Sequence, residues 1–287
     1  MGIIITPKKT TTIVPSPENR LNGPDTPGFM GGPDPSLWKD VPVTLTRRCV
    51  CMGIWGATDT GRSTLALTAP GPIAYFSAQE KTEGLIQDRK RTTEVYEHIF
   101  NTVFRGSPDE IAAQATESFA GIERAMLDAW RWARSIIFDT STDGWVLCQL
   151  SEFGTMDRAE RDDKANKKGQ LAFTGLNLKW ESMLKQFRVE ADLHNRTNLI
   201  WIAKTAPVYE GPKDTGKLKR AGQKNDSYMA DVILRTRVEQ APSNRFTATI
   251  EKPWYGGHAR GMVVDGEDLN FPSIMAMITS TDREEWE

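Results

Sequence analysis

Short apolar stretches alternate with longer segments along most of the chain. The stretches predict buried strands at Cys49–Trp55, Ile73–Ser77, Ser135–Phe138 and Asn198–Ala203. In Phe119–Ala133, apolar residues recur at three and four positions, which is typical of an amphipathic helix. Strands that alternate with helices predict a parallel sheet covered by helices.

The remaining segments complete this prediction. Helices are expected at Arg62–Leu67 and Asn177–Leu193, and the charged stretch Asp157–Gln170 is expected to be a loop. Beyond a second polar loop, strands at Asp231–Val238 and Phe246–Lys252 are expected to pair antiparallel at the far side of the sheet. The predicted fold class is therefore α/β, with a mostly parallel twisted sheet, flanking helices and antiparallel strands toward the C-terminus.

Composition divides the chain into three predicted parts. Residues 1–44 are rich in Pro, Gly, Thr and Asn, so they cannot bury much apolar surface. They are expected to form a flexible arm, which either docks on the body or a neighbouring subunit or stays a disordered tail. Residues 45–265 form the predicted α/β domain, and residues 266–287 a C-terminal extension.

Bulk composition narrows the class of protein. With 287 residues, 39% of them apolar, the chain can bury a large core. No apolar run approaches the roughly 20 residues that cross a bilayer, and no signal pattern opens the chain, so a cytoplasmic protein without a membrane partner is expected. Cys49, Cys51 and Cys148 are interpreted as core residues. Because the net charge is −2, a nucleic acid would need a local basic surface.

A glycine-rich segment joins the first predicted strand to the first predicted helix. It matches the phosphate-loop spacing G-x-x-x-x-G-[K/R]-[S/T] in that structural context. Backbone N–H groups in such a loop point at phosphate oxygens. Ser63 is the expected Mg²⁺ ligand, and Thr64 is expected beside the base or the helix surface. The predicted nucleotide-binding residues are Gly56, Ala57, Thr58, Asp59, Thr60, Gly61, Arg62, Ser63 and Thr64.

Arg62 departs from the usual phosphate loop, in which a lysine contacts the β- and γ-phosphates. A guanidinium is longer and planar, so it can bind phosphate while misplacing the charge that stabilises the transition state. The sequence therefore predicts nucleotide binding and leaves efficient hydrolysis open.

Three further residues are predicted to lie around the phosphates. Asp139 ends an apolar strand and resembles the acid that reaches the Mg²⁺ shell. Glu80 follows the second strand and is the expected general base, with Gln79 as the alternative occupant of that position. Lys204 follows the strand Asn198–Ala203, and it is either a sensor of the γ-phosphate or a surface lysine.

Together these motifs resemble the RecA-like core, and particularly the small phage nucleotide-binding proteins of single-strand annealing and recombination. The resemblance covers roughly residues 45–265 and includes the segments Tyr228–Arg235 and Thr249–Lys252. It implies a RecA-like P-loop fold, ATP as ligand and Mg²⁺ near Ser63 and Asp139. It also implies a homo-oligomer, ring or filament, in which Lys252 reaches the neighbouring subunit's γ-phosphate.

The same resemblance implies single-stranded DNA as a partner, held by mobile loops, together with a single-strand-binding protein. The first candidate loop is the basic polar segment Lys213–Lys224, and a second basic loop, Asp157–Gln170, is an alternative. The predicted DNA-binding residues are Lys213, Lys217, Lys219, Arg220 and Lys224.

Three functions remain open from the sequence. The first is an ATP-dependent recombination protein, with DNA-dependent ATPase activity altered by Arg62. The second is a nucleotide-binding regulatory or assembly protein whose hydrolysis has lapsed. The third is a phosphotransferase acting on a small metabolite, although no acceptor motif is recognisable in the chain.

Overall fold

A mixed eight-stranded sheet lies at the centre of the computed structural model, which describes residues 49–78, 83–157, 171–190, 197–210, 213–223, 226–239, 245–254 and 257–287. All of these residues fall within one compact unit, residues 47–287. The predicted arm, residues 1–44, and most of the charged stretch 157–170 lie outside the described residues.

The strands follow the chain in this order: β1 Cys51–Gly56, β2 Ile73–Ser77, β3 Val95–Ile99, β4 Ser135–Asp139, β5 Asn198–Ala203, β6 Thr205–Glu210, β7 Lys213–Arg220, β8 Val232–Glu239, β9 Arg245–Lys252 and β10 Val263–Asp265. The helices between and after them are α1 Arg62–Ala66, α2 Glu83–Lys90, α3 Pro108–Ala129, α4 Ser141–Phe153, α5 Leu171–Glu190, α6 Asp226–Met229 and α7 Phe271–Thr279. In the described part of the chain, no helix combines the length and the hydrophobicity that a membrane span requires.

The strand order in the main sheet is β10-β9-β8-β1-β5-β4-β2-β3. All pairs from β8 to β3 are parallel, whereas β9 is antiparallel to both β8 and β10. This confirms the predicted α/β class with antiparallel strands toward the C-terminus. Because β5 lies between β1 and β4, the ends of β1 and β4 are two strand spacings apart, about 10 Å.

Each face of the sheet packs against its own helices. Buried residues of α3, α4 and α5 cover one face, and residues of α1, α2 and α7 cover the other. Along β1, Cys51 belongs to the first cluster while Met52 and Ile54 belong to the second, as expected when successive side chains alternate. Because both faces are covered, the central strands are continuous apolar runs.

The final segment of the chain is part of this core. In α7, Phe271, Ile274 and Ile278 are buried beside residues of α1 and β1, and Trp286 packs edge-on against Phe271. Residues 266–287, separated by the sequence as an extension, therefore complete the face that carries α1. Cys49, Cys51 and Cys148 are buried, in agreement with their interpretation as core residues.

The structure differs from the sequence prediction at the second polar loop. Half of the second predicted polar loop, roughly Gly211–Asp226, is strand β7, which forms an antiparallel hairpin with β6. The sequence of β7 contains a single apolar residue, Leu218, so the period-two signal of a half-buried strand is absent. Backbone pairing with β6, and not burial, creates this strand.

The buried carboxyl group of Asp226 makes stability depend on pH. Trp180 Nε1 donates a hydrogen bond to Asp226 Oδ1 (2.8 Å), and burial raises the pKa of Asp226 from 3.8 to about 6. The folded state therefore holds this proton up to about pH 6, whereas the unfolded state releases it near pH 3.8. The free energy of unfolding therefore falls as the pH rises from 3.8 to about 6, and the full destabilisation by the buried carboxylate is present above that interval.

We therefore expect Asp226→Asn to stabilise the protein by up to about 3 kcal/mol near pH 7.5, and by less near pH 4.5. The amide keeps an acceptor for Trp180 and removes the buried charge. Urea unfolding at the two pH values measures the difference, with the exposed Asp88→Asn variant as control. A gain that did not grow with pH would contradict this account.

Candidate functional site

The loop between β1 and α1 is closed by its own backbone and hydroxyl groups. Thr60 Oγ1 donates to the carbonyl of Ala57 (2.7 Å) and lies 2.7 Å from Thr236 Oγ1 on β8. A side chain at Gly56 would place its Cβ 2.3 Å from Thr236 Oγ1, so only glycine fits there. Gly61, directly before α1, has a φ of 79°, in the left-handed region that favours glycine.

Ser63 and Asp139 meet across the width of β5. Ser63 Oγ donates to Asp139 Oδ2 at 2.6 Å, and the hydroxyl of Tyr75 donates to the same oxygen at 2.5 Å. Tyr75 is fully buried on β2, and burial together with the Asp139 carboxylate raises its pKa, so it stays a neutral donor. The carboxylate of Asp139 is thus held by two hydroxyl groups, one from the first turn of α1 and one from the middle of β2. Tyr75 was not predicted as a site residue, because in sequence it is one more apolar position of a strand.

Arg62 points across the end of β5. Its Nη1 donates to the carbonyl of Ala203 at 2.8 Å. Burial lowers the pKa of the guanidinium, and the nearby carboxylates of Asp139, Asp59 and Asp143 oppose that effect. The cation is therefore anchored to the main chain at the end of β5, where Ala203 pairs with Trp55 of β1.

Lys204 lies at the edge of the same site. Its Nζ forms an ion pair with Asp143 Oδ1 at 2.7 Å, and Thr140 Oγ1 donates to Asp143 Oδ2 at 2.6 Å. The Lys204 N–H donates to Thr142 Oγ1 at 3.0 Å, which ties the end of β5 to the start of α4. Asp143 was missed by the sequence reasoning. Its signal is the cap of α4, where Thr140 Oγ1 also accepts from the Asp143 N–H.

These groups line one cavity of about 430 Å³. The cavity brings the loop together with the ends of β2, β4 and β5 and with two apolar side chains, Leu85 and Phe246. Its lining residues are Thr58, Asp59, Thr60, Gly61, Arg62, Ser63, Thr64, Ser77, Leu85, Asp139, Thr140, Asp143, Lys204 and Phe246.

Of the remaining predicted site residues, the structure describes Lys252, whereas Glu80, its alternative Gln79 and Lys224 fall outside the described residues. Lys252 ends β9 opposite Ile233, at the amino-terminal edge of the parallel strands, and its ammonium donates to the carbonyl of Ala230. The structure therefore places Lys252 on the opposite edge of the sheet from Ser63.

The basic segment after Lys204 forms the β6–β7 hairpin. Lys213, Lys217 and Lys219 are exposed, and Lys217 and Lys219 lie two positions apart on the same face of β7. Tyr209 on β6 is 59% exposed. Arg220 differs from the lysines, since it is half-buried and donates to the carbonyl of Gln223. Burial also lowers the pKa of Arg220.

The oxygen atoms of Ser63 and Asp139 are the ones that could hold a cation. Within the described residues there is no group of three or more His, Cys, Asp or Glu side chains that could bind a metal by themselves. Mg²⁺ commonly takes one or two protein ligands and completes its octahedron with waters and substrate phosphates. A hydroxyl and a carboxylate 2.6 Å apart beside the glycine loop fit that mode of binding.

Neither a scan against protein-family models nor a search of curated proteins found a match to this chain.

The left-handed conformation of Gly61 leads to a test of the loop. We expect Gly61→Ala to lower the free energy of unfolding by about 1–2 kcal/mol, because an L-residue is strained at this φ. Its Cβ would also lie 3.2 Å from the ring of Phe246. Denaturant unfolding measures the change.

The control is Gly121→Ala in the middle of α3, where an added Cβ meets nothing within 4 Å. It should be neutral or stabilise the protein by up to about 1 kcal/mol. If both variants changed the free energy of unfolding by the same amount, the prediction that an L-residue is strained at position 61 would be wrong.

Proposed function

We propose that this protein is a RecA-like P-loop ATPase that binds ATP with Mg²⁺ and acts on single-stranded DNA in recombination, annealing or repair of the phage type. The observation that carries the proposal is the hydrogen bond from Ser63 to Asp139 at the mouth of the glycine loop. It unites the loop motif with the acid that ends β4, although 76 positions separate the two residues in sequence.

The sheet topology supports the same reading. The glycine loop follows β1, the acid follows β4 two strands away, and both lie at the carboxyl edge of parallel strands, where open α/β sheets bind their ligands. The antiparallel β8–β9–β10 end agrees with the closing strands that the resemblance implies.

In this proposal each residue has a role that its position allows. The backbone N–H groups of residues 57–63 hold the phosphates, and Ser63 and Asp139 hold Mg²⁺, which neutralises charge on the phosphate oxygens. Lys204, at the tip of β5, senses the terminal phosphate by exchanging its ion pair with Asp143 for the incoming anion. Glu80 remains the predicted general base.

Arg62 decides between fast and slow turnover. Its guanidinium donates to the carbonyl of Ala203, so it must break this hydrogen bond before it can move toward charge that develops on the phosphates. This restraint favours a second candidate function, a regulatory or assembly protein in which ATP is bound with little hydrolysis. The two candidates share the nucleotide site and differ in turnover.

A lysine at position 62 tests this point. We expect Arg62→Lys to raise the rate of ATP hydrolysis by about tenfold or more, because a free ammonium can follow the developing charge. Phosphate release with Mg²⁺, measured with and without single-stranded DNA, is the assay. Arg91→Lys, at a side chain 80% exposed on the surface, is the control.

DNA-stimulated turnover in the unmodified protein would support the recombination ATPase, and turnover confined to Arg62→Lys would support the regulatory candidate. Ser63→Ala should weaken binding of Mg²⁺–ATP in either case. Absence of ATP binding to the unmodified protein would overturn the proposal.

The β6–β7 hairpin is the proposed contact with single-stranded DNA. It begins at Thr205, the residue after Lys204, so the phosphate sensor and the hairpin are joined by one peptide bond. The hairpin carries exposed lysines and the exposed ring of Tyr209, which can combine neutralisation of backbone charge with a surface on which bases stack. The homo-oligomer, the role of Lys252 at a neighbouring subunit and a single-strand-binding partner remain predictions.

Removing two of these lysines tests the contact. We expect Lys217→Gln/Lys219→Gln to weaken binding of an oligothymidylate, and to reduce the slope of log affinity against log salt by about 1.4, since each lost phosphate contact contributes about 0.7. Fluorescence anisotropy over a range of salt concentrations gives the slope.

The matched control, Lys90→Gln/Arg91→Gln, removes the same charge from exposed positions at the end of α2 and should leave the slope unchanged. Equal effects of the two double variants would indicate general electrostatics and contradict a hairpin-specific contact.

A further inference from the structure

An exposed aromatic ring lies against the glycine loop. Phe246 on β9 is 47% exposed, although it lines the same cavity as Ser63 and Asp139. Its ring touches Gly61 closely, because a Cβ built on Gly61 would lie 3.2 Å from Phe246 Cδ1. One part of the ring therefore covers the loop and the rest faces solvent at the cavity.

Phe246 lies on the face of the sheet that carries α1. Successive side chains of a strand point to opposite faces, and Ala248 and Ile250 of β9 belong to the core cluster that contains Leu65 and Ala66 of α1. Phe246, two positions before Ala248, shares that face and extends it beyond the edge of the core. The ring thus stands beside the turn that leads into α1.

The strand order gives the cavity two distinct ends. Asp139 ends β4, two strands from β1 on one side, and Phe246 is the second residue of β9, two strands from β1 on the other. Of the charged groups that line the cavity, Asp139, Asp143 and Lys204 are at the β4–β5 end, the Arg62 guanidinium contacts the end of β5, and Asp59 is in the loop itself. A nucleotide whose terminal phosphates and metal lie at that end must extend its nucleoside toward the opposite side of the loop.

We propose that Phe246 is the stacking platform for the nucleobase of the bound nucleoside triphosphate. This inference rests on the proposed nucleotide site and adds the group that distinguishes a nucleotide from a bare triphosphate. An aromatic side chain stacks on the π-face that every base presents, and such contacts tolerate different bases. Phe246 therefore supplies affinity for a base without selecting which base.

The test compares two probes, Mg²⁺–ATP and Mg²⁺–tripolyphosphate, by titration calorimetry. We expect Phe246→Ala to weaken ATP binding by about 5- to 150-fold and to leave tripolyphosphate binding unchanged, because only ATP has a base to stack. Phe246→Trp should restore the ATP affinity. Tyr96→Ala, which removes another exposed ring from the distant strand β3, is the control and should affect neither probe.

The outcomes separate this inference from the function on which it rests. Equal ATP affinity in Phe246→Ala and the unmodified protein would overturn the platform while leaving the nucleotide site intact. An equal loss for both probes would also overturn it, because the ring would then act through the shape of the loop. Binding of neither probe by the unmodified protein would overturn the proposed nucleotide site, and the platform with it.

Discussion

The contact on which the candidate site depends is the hydrogen bond from Ser63 to Asp139. It spans the end of β5, so it forms only when β1, β5 and β4 are paired in parallel and in register. Tyr75 adds a second donor from β2, so the carboxylate is held by one group from α1 and one from the neighbouring strand. Any shift in strand register would separate these partners, so the site forms only when the strands have the correct order and register.

The same strand edge places the cations where they can respond to an anion. Arg62 donates to the carbonyl of Ala203, the last residue of β5. Lys204, which follows Ala203 in the chain, pairs with Asp143. Both cations thus have partners that a phosphate could replace. Because the hairpin starts immediately after Lys204, movement of that side chain is one peptide bond from the basic surface. This proximity is the physical basis for proposing that nucleotide and DNA binding are coupled.

The antiparallel end of the sheet has a different part in the site. Thr236 of β8 supports the loop from beneath through Thr60 and allows only glycine at position 56. Phe246 of β9 covers the loop at Gly61. The chain segments that close the sheet therefore shape the loop from one side while the acids approach it from the other.

The sequence by itself determined the α/β class, the central strands and the glycine loop, because apolar runs and a spaced glycine motif are local patterns. It did not reveal Tyr75, Asp143 or Phe246 as site residues, nor the strand character of Lys213–Arg220. Tyr75 and Phe246 look like ordinary strand positions, and β7 exists through backbone pairing that carries no hydrophobic signal. Only the tertiary structure decided which strand ends meet, since strand order is set by packing between distant segments and not by any local pattern.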